Sequence, residues 1–215
     1  MAGTTLKSSS TGPALLLNVL NVLCIILFAY FTYTNFNILT FVEIYIIVSV
    51  IIQVLMLVSL FNVHPRKISN VMEGIICWIG SSLVFHTIAV LYGAPLFSSV
   101  SETFHLAMLL ATTAALPGLM VLGIRKEEWT RLFFKTRIFS SPSSALEISI
   151  LASGVCSVLG AWLGAFPIPL DWDRPWQVWP ISCVIGTLAG YSCGLIFATC
   201  FILYQNMKGS KSKLF

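Results

Sequence analysis

The sequence predicts an all-α membrane protein with six transmembrane helices. Hydrophobic residues make up 57% of the 215 residues and charged residues only 9%, and the mean hydropathy is +0.92. A soluble domain carries about 25% charged residues, so this chain lacks the polar surface that a water-facing globule needs. A helix that spans a bilayer needs about 20 apolar residues. Six segments reach that length: 13–34, 41–62, 71–92, 100–124, 145–166 and 180–205.

The six spans are predicted to form a single transmembrane domain over residues 1–215. The first apolar stretch is too long for a signal peptide, and no small-residue cleavage site follows it, so we expect it to remain as a span. The connections predicted to face the lumen are short, at about 35–40, 93–99 and 167–179. None of them is long enough to fold as a catalytic domain.

Four glutamates near the edges of the apolar runs predict where helices begin. Each lies three residues after a residue that favours the N-cap position, which is the spacing of a capping box. The pairs are Thr40 with Glu43, Asn70 with Glu73, Ser99 with Glu102, and Ser144 with Glu147. We therefore interpret these acids as caps of spans two to five, although acids inside a membrane can also relay protons.

The distribution of positive charge predicts the orientation in the membrane. With six spans, eleven of the twelve basic residues fall on one side: Lys7, Arg66, Lys67, Arg125, Lys126, Arg131, Lys135, Arg137, Lys208, Lys211 and Lys213. Positive charge stays on the cytosolic side. Both termini are therefore expected in the cytosol, and Arg174 is the one basic residue expected in the lumen.

The C-terminal tail carries a candidate retrieval signal. Lys211 and Lys213 occupy the fifth and third positions from the end of the sequence. This spacing resembles the dilysine signal that returns membrane proteins to the endoplasmic reticulum, which a receptor reads on a cytosolic tail. Ordinary positive-inside charge is the alternative interpretation. The retrieval interpretation predicts a multi-pass protein of the endoplasmic reticulum membrane.

The connection between spans four and five predicts a short amphipathic helix. In residues 125–142, charged residues alternate with larger side chains at helical spacing: Trp129, Leu132, Phe133, Thr136 and Phe139. Such a segment is typical of a helix that lies in the cytosolic interface of the membrane.

The residue types that carry chemistry are sparse. All six cysteines lie inside predicted spans without a CxxC pair, and they are interpreted as packing residues. His86 is expected to bond a neighbouring helix. Glu102 and His105 are spaced to ligate a metal together, but one such pair does not make a site. We therefore predict no metal, no cofactor and no catalytic residue, and no basic stripe indicates nucleic acid.

Small residues recur every fourth position in spans five and six, at Ala152, Cys156, Gly160 and Gly164, and at Gly186, Gly190 and Gly194. In lipid, such stripes let helix backbones approach and gain dispersion contacts. We expect the two stripes to pack on each other, while contact with another protein is the alternative.

The most distinctive feature is the Pro/Trp segment, which we define as residues 164–180. It holds four prolines and three tryptophans between two apolar runs. Prolines stiffen a turn, and tryptophans are typical of the membrane interface. A salt bridge from Arg174 to Asp171 or Asp173 would be a purely structural role. Arg and Trp are also enriched among interface anchors.

In and around this segment, and at a second site, the sequence resembles a known family. Residues 160–165, 167–172 and 174–183 read GAWLGA, PIPLDW and RPWQVWPISC, and residues 90–96 read VLYGAPL. These motifs resemble the phosphatidylinositol-glycan class F family of GPI-anchor assembly. The resemblance implies a non-catalytic subunit that stabilises large multi-span ethanolamine-phosphate transferases, whose own lumenal domain performs a metal-dependent reaction. The hypothetical docking surface for that partner is Asp171, Trp172, Arg174, Trp176 and Trp179.

Two other functions remain open from the sequence. A lipid-binding bundle that presents the GPI precursor would use the same tryptophans around a headgroup. An intramembrane enzyme would use His86 and His105.

Overall fold

The computed structural model describes residues 11–35, 38–60, 68–135, 144–170 and 172–211. These residues are almost entirely helical, and no strand occurs among them. The all-α prediction is confirmed.

Eight α-helices occupy the described part of the chain. In order they are α1 Thr11–Asn35, α2 Ile38–Leu60, α3 Ile68–Leu91, α4 Val100–Leu110, α5 Leu116–Leu122, α6 Lys126–Thr130, α7 Ala145–Ala165 and α8 Ile181–Lys211. A π-helical turn, Ala111–Ala115, joins α4 to α5, and a second one, Arg131–Lys135, follows α6. A 3₁₀ turn, Pro175–Gln177, precedes α8.

Several helices are long and apolar enough to cross a membrane, so the chain is a multi-pass membrane protein. Five stretches meet this condition within the described ranges: Thr11–Thr32, Met72–Leu91, Val100–Leu122, Ala145–Ala165 and Ile181–Lys208. In α2 the apolar stretch is shorter, at Thr40–Met56. The six-span count and the cytosolic position of both termini therefore stay predictions.

The bundle is organised around α7 and α8, whose mutual contact is the most extensive between any two helices. The continuous run of α4, the π turn and α5 lies against α3 and α7, and α1 pairs with α2 and contacts α8. One apolar core lies between α2, α4 and the first half of α8. A second core joins the start of α1 to α7 and the last part of α8, at the opposite end of the bundle.

The capping prediction is confirmed at one helix start. Ser144 Oγ accepts from the Glu147 amide at 3.2 Å, and Glu147 Oε2 accepts from the Ser144 amide at 3.4 Å. Ser99 is the N-cap of α4, but its side chain makes no capping bond.

At the other two predicted starts, α2 and α3, the prediction is wrong. Thr40 lies inside α2, two residues after its first residue, and Asn70 lies inside α3. A residue within the first helical turn has helical backbone angles and cannot act as the N-cap. The spacing alone did not reveal that the helices begin earlier.

The segment after α5 packs against the end of the bundle. The indole Nε1 of Trp129 donates to the Gly123 carbonyl at 2.8 Å, and a Cβ on Gly118 would lie 2.5 Å from the Trp129 ring. Leu132 is 2% exposed, whereas Phe134 is 85% exposed. The predicted amphipathic segment thus has a buried and an exposed side, with only five residues of α-helix. Thr136 and Phe139 lie outside the described residues.

Candidate partner-binding site on the Pro/Trp segment

The contact between α7 and α8 holds the two ends of the Pro/Trp segment together. A Cβ on Gly164 would collide with the carbonyl oxygen of Ser182 and lie 2.9 Å from the Cα of Cys183. The two helices therefore touch backbone to backbone where the segment leaves α7 and enters α8.

The same close approach continues along both helices. A Cβ on Gly160 would collide with the Gly186 carbonyl oxygen, and one on Gly190 with the Cys156 carbonyl oxygen. A Cβ on Gly194 would lie 2.6 Å from the Ala152 carbonyl oxygen. The structure thus places the two small-residue stripes against each other, antiparallel, which makes this helix pair a rigid support for the segment.

Gln177 organises the interior of the segment. Its Nε2 donates to the carbonyls of Pro167 at 2.7 Å and Leu170 at 2.6 Å. Its Oε1 accepts from the backbone amide of Arg174 at 2.9 Å. Gln177 is 8% exposed, so these bonds are buried. They give the Arg174 amide its partner and add a second donor to two carbonyls that already accept from the amides of Leu170 and Trp172. One buried side chain therefore fixes both halves of the segment.

This arrangement turns three of the predicted docking residues outward. Trp172 is 56% exposed and Trp176 is 39% exposed. Their rings meet edge to face, with centroids 6.1 Å apart, and Arg174 between them in sequence is also exposed. Such a pair of large, stiff rings beside a cation has the composition of an interface anchor.

The salt bridge considered as a structural role for Arg174 is not seen among the described residues. No ion pair joins Arg174 to Asp173 among them, and Asp171 lies outside the described residues. Asp173 adopts a positive φ of 47°, a region that Asp tolerates better than most residues. The backbone therefore turns sharply at Asp173, immediately before the exposed guanidinium.

Trp179 takes a different position from the other predicted docking residues. Its indole Nε1 donates to Thr103 Oγ1 at 3.0 Å, and its ring packs against the core formed by α2, α4 and α8. Thr103 is fully buried and donates in turn to the Ser99 carbonyl at 2.8 Å. Because its polar atom is engaged inside the bundle, Trp179 attaches the segment to α4. Trp179 is half-buried, and its place among the docking residues stays a prediction.

The bond to Thr103 gives a first prediction. Thr103→Val keeps the shape of the side chain and removes the acceptor, which leaves a partly buried indole N–H unpaired. We expect the free energy of unfolding to fall by about 1–2 kcal/mol, measured as a lower midpoint of thermal unfolding in detergent. Thr87→Val on α3 is the matched control, because Thr87 loses only its bond to the Leu83 carbonyl. Equal effects of both variants would contradict the role of Trp179 as an attachment.

A short polar contact joins Glu43 of α2 to His105 of α4. The distance from His105 Nε2 to Glu43 Oε1 is 2.7 Å, and His105 Nδ1 lies 2.6 Å from the Ser101 carbonyl oxygen. Glu43 therefore has a partner across the bundle instead of a cap, and both nitrogens of His105 are engaged without Glu102. In the described part of the chain, no three His, Cys, Asp or Glu residues gather as a metal site.

His86 differs from the prediction that it bonds a neighbouring helix. Its Nδ1 is buried and has no hydrogen-bond partner among the described residues. The ring instead meets Phe104 edge to face, with centroids 6.0 Å apart. The contact between α3 and α4 at this point is thus aromatic packing.

Two residues that hold the site, Gln177 and Thr103, were missed by the sequence reasoning. Gln177 is an uncharged amide in a segment otherwise dominated by prolines, tryptophans and charges. This contrast with its neighbours was the one sequence feature that could have pointed to Gln177. Thr103 carries no such signal, because threonine is frequent in these helices. Of the proposed retrieval pair, Lys211 is the last residue of α8 and Lys213 lies outside the described residues.

The sequence profile described as GPI biosynthesis protein family Pig-F matches residues 15–199. This range covers most of the chain and includes the whole Pro/Trp segment. The chain belongs to the Pig-F family. The resemblance noted in the sequence is thereby confirmed.

Several proteins are similar to this Pig-F family member. The "GPI ethanolamine phosphate transferase, stabilizing subunit" of Mus musculus is 43% identical over 143 residues, which cover 66% of this chain and 63% of the mouse protein. The Homo sapiens protein of the same name has the same identity and coverage. "Glycosylphosphatidylinositol anchor biosynthesis protein 11" of Yarrowia lipolytica is 37% identical over 115 residues, which cover 54% of this chain and 48% of the yeast protein.

The alignments therefore span less than two thirds of the length of these relatives. No solved structure matches this Pig-F chain.

Proposed function

We propose that this chain is a non-catalytic stabilising subunit of ethanolamine-phosphate transferase complexes of GPI-anchor biosynthesis, in the endoplasmic reticulum membrane. The names of the mouse and human relatives support the role. One observation supports a particular binding surface for the transferase. Trp172, Arg174 and Trp176 are exposed together on a segment that Gln177 holds rigid. We name these three residues the docking group.

Rigidity is the property that makes this group suited to a partner. Association costs free energy when side chains and loops must be ordered at the interface. Here the loop is already ordered by buried hydrogen bonds, and the tryptophan rings already rest against each other. A transferase subunit would thus meet a surface whose ordering cost has been met during folding of the bundle.

Charge indicates what the partner presents. Arg174 is the one basic residue in the connections predicted to face the lumen, and in the described chain its guanidinium has no carboxylate partner. A guanidinium binds carboxylates in a bidentate geometry and stacks on aromatic rings. We expect an acidic side chain of the transferase subunit to face Arg174, with apolar surface over Trp172 and Trp176.

Arg174→Ala tests this role. We expect the variant to reduce co-purification of the transferase subunits at least about tenfold, the loss of about 1.4 kcal/mol or more that removal of an interface anchor causes. The amount of the chain itself should stay unchanged, because the guanidinium makes no ion pair with a described residue of the bundle. Removal of a lumenal positive charge also strengthens the cytosolic charge bias, so the orientation is preserved.

Arg125→Ala is the matched control for this variant, since Arg125 is an exposed arginine at the opposite end of the bundle. It should leave co-purification unchanged. If Arg174→Ala lowers the amount of this chain and of the transferase equally, the residue has a folding role and the docking proposal is wrong.

A lipid-presenting bundle is the second candidate. The observation that favours it is the same free guanidinium between two interfacial tryptophans, because a lipid phosphate binds arginine as readily as a carboxylate does. In that case Arg174→Ala would remove bound GPI-precursor lipid from the purified chain, measured by mass spectrometry, while the transferase still co-purifies.

A further inference from the structure

The turn between α3 and α4 exposes a cluster of large apolar side chains. Phe97 is 90% exposed, Tyr92 80% and Leu91 79%, and Leu96 is exposed as well. We name residues 91–97 the Tyr/Phe turn. It contains most of the motif at residues 90–96, which has no part in the docking group. A contiguous exposed apolar patch marks a surface that binds a protein or a membrane.

A Schellman motif holds the backbone at the start of the Tyr/Phe turn. The Ala94 amide donates to the Ala89 carbonyl at 3.0 Å, and the Gly93 amide donates to the Val90 carbonyl at 3.0 Å, which are the two bonds of this motif. Gly93 has a φ of 102°, a conformation that glycine adopts without strain. The side chain of Ala94 is buried. Tyr92 is therefore presented by a hydrogen-bonded turn that fixes its position relative to α3.

The length of α3 places the Tyr/Phe turn at the edge of the membrane. The apolar stretch of this helix, Met72–Leu91, has 20 residues. At about 1.5 Å per residue it is about 30 Å long, which equals the thickness of the hydrocarbon core of a bilayer. Glu73, the one acidic residue of α3, lies at the start of this stretch. With Glu73 at one boundary of the core, Leu91 and Tyr92 reach the opposite boundary.

The chemistry of the turn favours lipid over a protein partner. Exposed apolar side chains run along α3 as far as the turn, at Ile76, Ile79, Leu83, Val84, Ile88 and Leu91. Such a face of a membrane-spanning helix contacts acyl chains. Residues 87–101 carry no charge, whereas the docking group contains a guanidinium. A tyrosine at the end of a span suits the interface, because its ring is apolar and its hydroxyl can bond to headgroups or water.

We propose that the Tyr/Phe turn anchors this end of the bundle in the membrane interface, with its four exposed side chains between the acyl chains and the headgroups. The turn leads directly into α4, where Thr103 accepts from the Trp179 indole at 3.0 Å. The Tyr/Phe turn and the Pro/Trp segment therefore lie at the same end of the bundle. The anchor sets the depth at which this end meets the bilayer, whether or not a transferase is bound at the docking group.

Site-specific photo-cross-linking tests the anchor. The photoreactive residue p-benzoylphenylalanine takes the place of Phe97 in the full chain, in cell membranes that contain all natural partners, and mass spectrometry identifies what it captures. Leu83, an exposed residue in the middle of α3, is the matched lipid-facing position. We expect lipid adducts at both positions in similar yield. Capture of a protein at position 97, or of neither lipid nor protein, overturns the proposal.

A labelling rate gives a second measurement that does not need the bulky photoreactive residue. Phe97→Cys is treated with a charged maleimide in nanodiscs and again in denaturing detergent, and peptide mass spectrometry separates its signal from the native cysteines. Arg125→Cys, at an exposed position on the opposite end of the bundle, corrects for the effect of detergent on the reagent. We expect labelling at position 97 to rise several-fold relative to position 125 when the bilayer is removed. An unchanged ratio would place the turn in water and overturn the anchor.

Discussion

Gly190→Ala is expected to lower the free energy of unfolding by about 2–3 kcal/mol, even though alanine is the better helix former. The added Cβ would collide with the Cys156 carbonyl oxygen and lie 3.0 Å from the Cα of Gly160. Both neighbours are backbone atoms, so no side-chain rotation relieves the collision. The two helices must move apart, and the dispersion contacts of their small-residue stripes weaken together.

Gly80→Ala is the matched control for this variant. Gly80 lies exposed on α3, and a Cβ there has no neighbour within 4 Å. It should leave the midpoint of thermal unfolding in detergent unchanged or raise it slightly, because alanine favours the helix by about 1 kcal/mol. Similar midpoints for the two variants would mean that α7 and α8 are not in backbone contact.

Gln177→Leu is expected to release the Pro/Trp segment while the bundle stays folded. The change removes three hydrogen bonds, to the Pro167 and Leu170 carbonyls and from the Arg174 amide. At about 1 kcal/mol each, their loss makes local opening more favourable by about 2–4 kcal/mol, or roughly a hundredfold. The segment would then no longer hold Trp172 and Trp176 in place.

Limited chymotrypsin cleavage in the segment measures this opening, and transferase co-purification measures its consequence. We expect faster cleavage and reduced co-purification, with a nearly unchanged midpoint of thermal unfolding, since the three hydrogen bonds of Gln177 all lie within the segment. Gln205→Leu near the other end of α8 is the matched control and should change neither. Loss of co-purification without faster cleavage would mean that Gln177 acts on the partner directly, and the positioning role would be wrong.

The chemistry of Gln177 also predicts the effect of Gln177→Glu. A carboxylate still accepts from the Arg174 amide, but it cannot donate to the two carbonyls, and its charge faces their oxygens. We expect it to open the segment at least as much as Gln177→Leu. An effect near zero would indicate that the two donated bonds contribute little.

Features that depend on local spacing were predictable from the sequence. Apolar length marked the helices, and small residues at every fourth position marked the faces of α7 and α8 that meet. Ser144 and Glu147 formed the predicted capping box because both partners lie within one turn. The same spacing failed at Thr40, because the helix begins two residues earlier and Glu43 finds His105 across the bundle.

The docking group required the tertiary structure. Trp172, Trp176 and Trp179 are equivalent in the sequence, since each is a tryptophan beside a proline or a charge. Only the fold brings Thr103 within 3.0 Å of Trp179 and leaves the other two tryptophans exposed. No local pattern encodes that difference, because the partners are separated by 76 residues.

The sequence by itself determined the class of this protein, its helices, its family and the chemical character of the Pro/Trp segment. These follow from composition and from spacings within one or two helical turns, which the physics of lipid and of helix geometry constrains tightly. The tertiary structure decided which tryptophans are exposed and that Gln177 holds the segment. Each of these depends on hydrogen bonds and packing between distant helices, which only the folded bundle brings together.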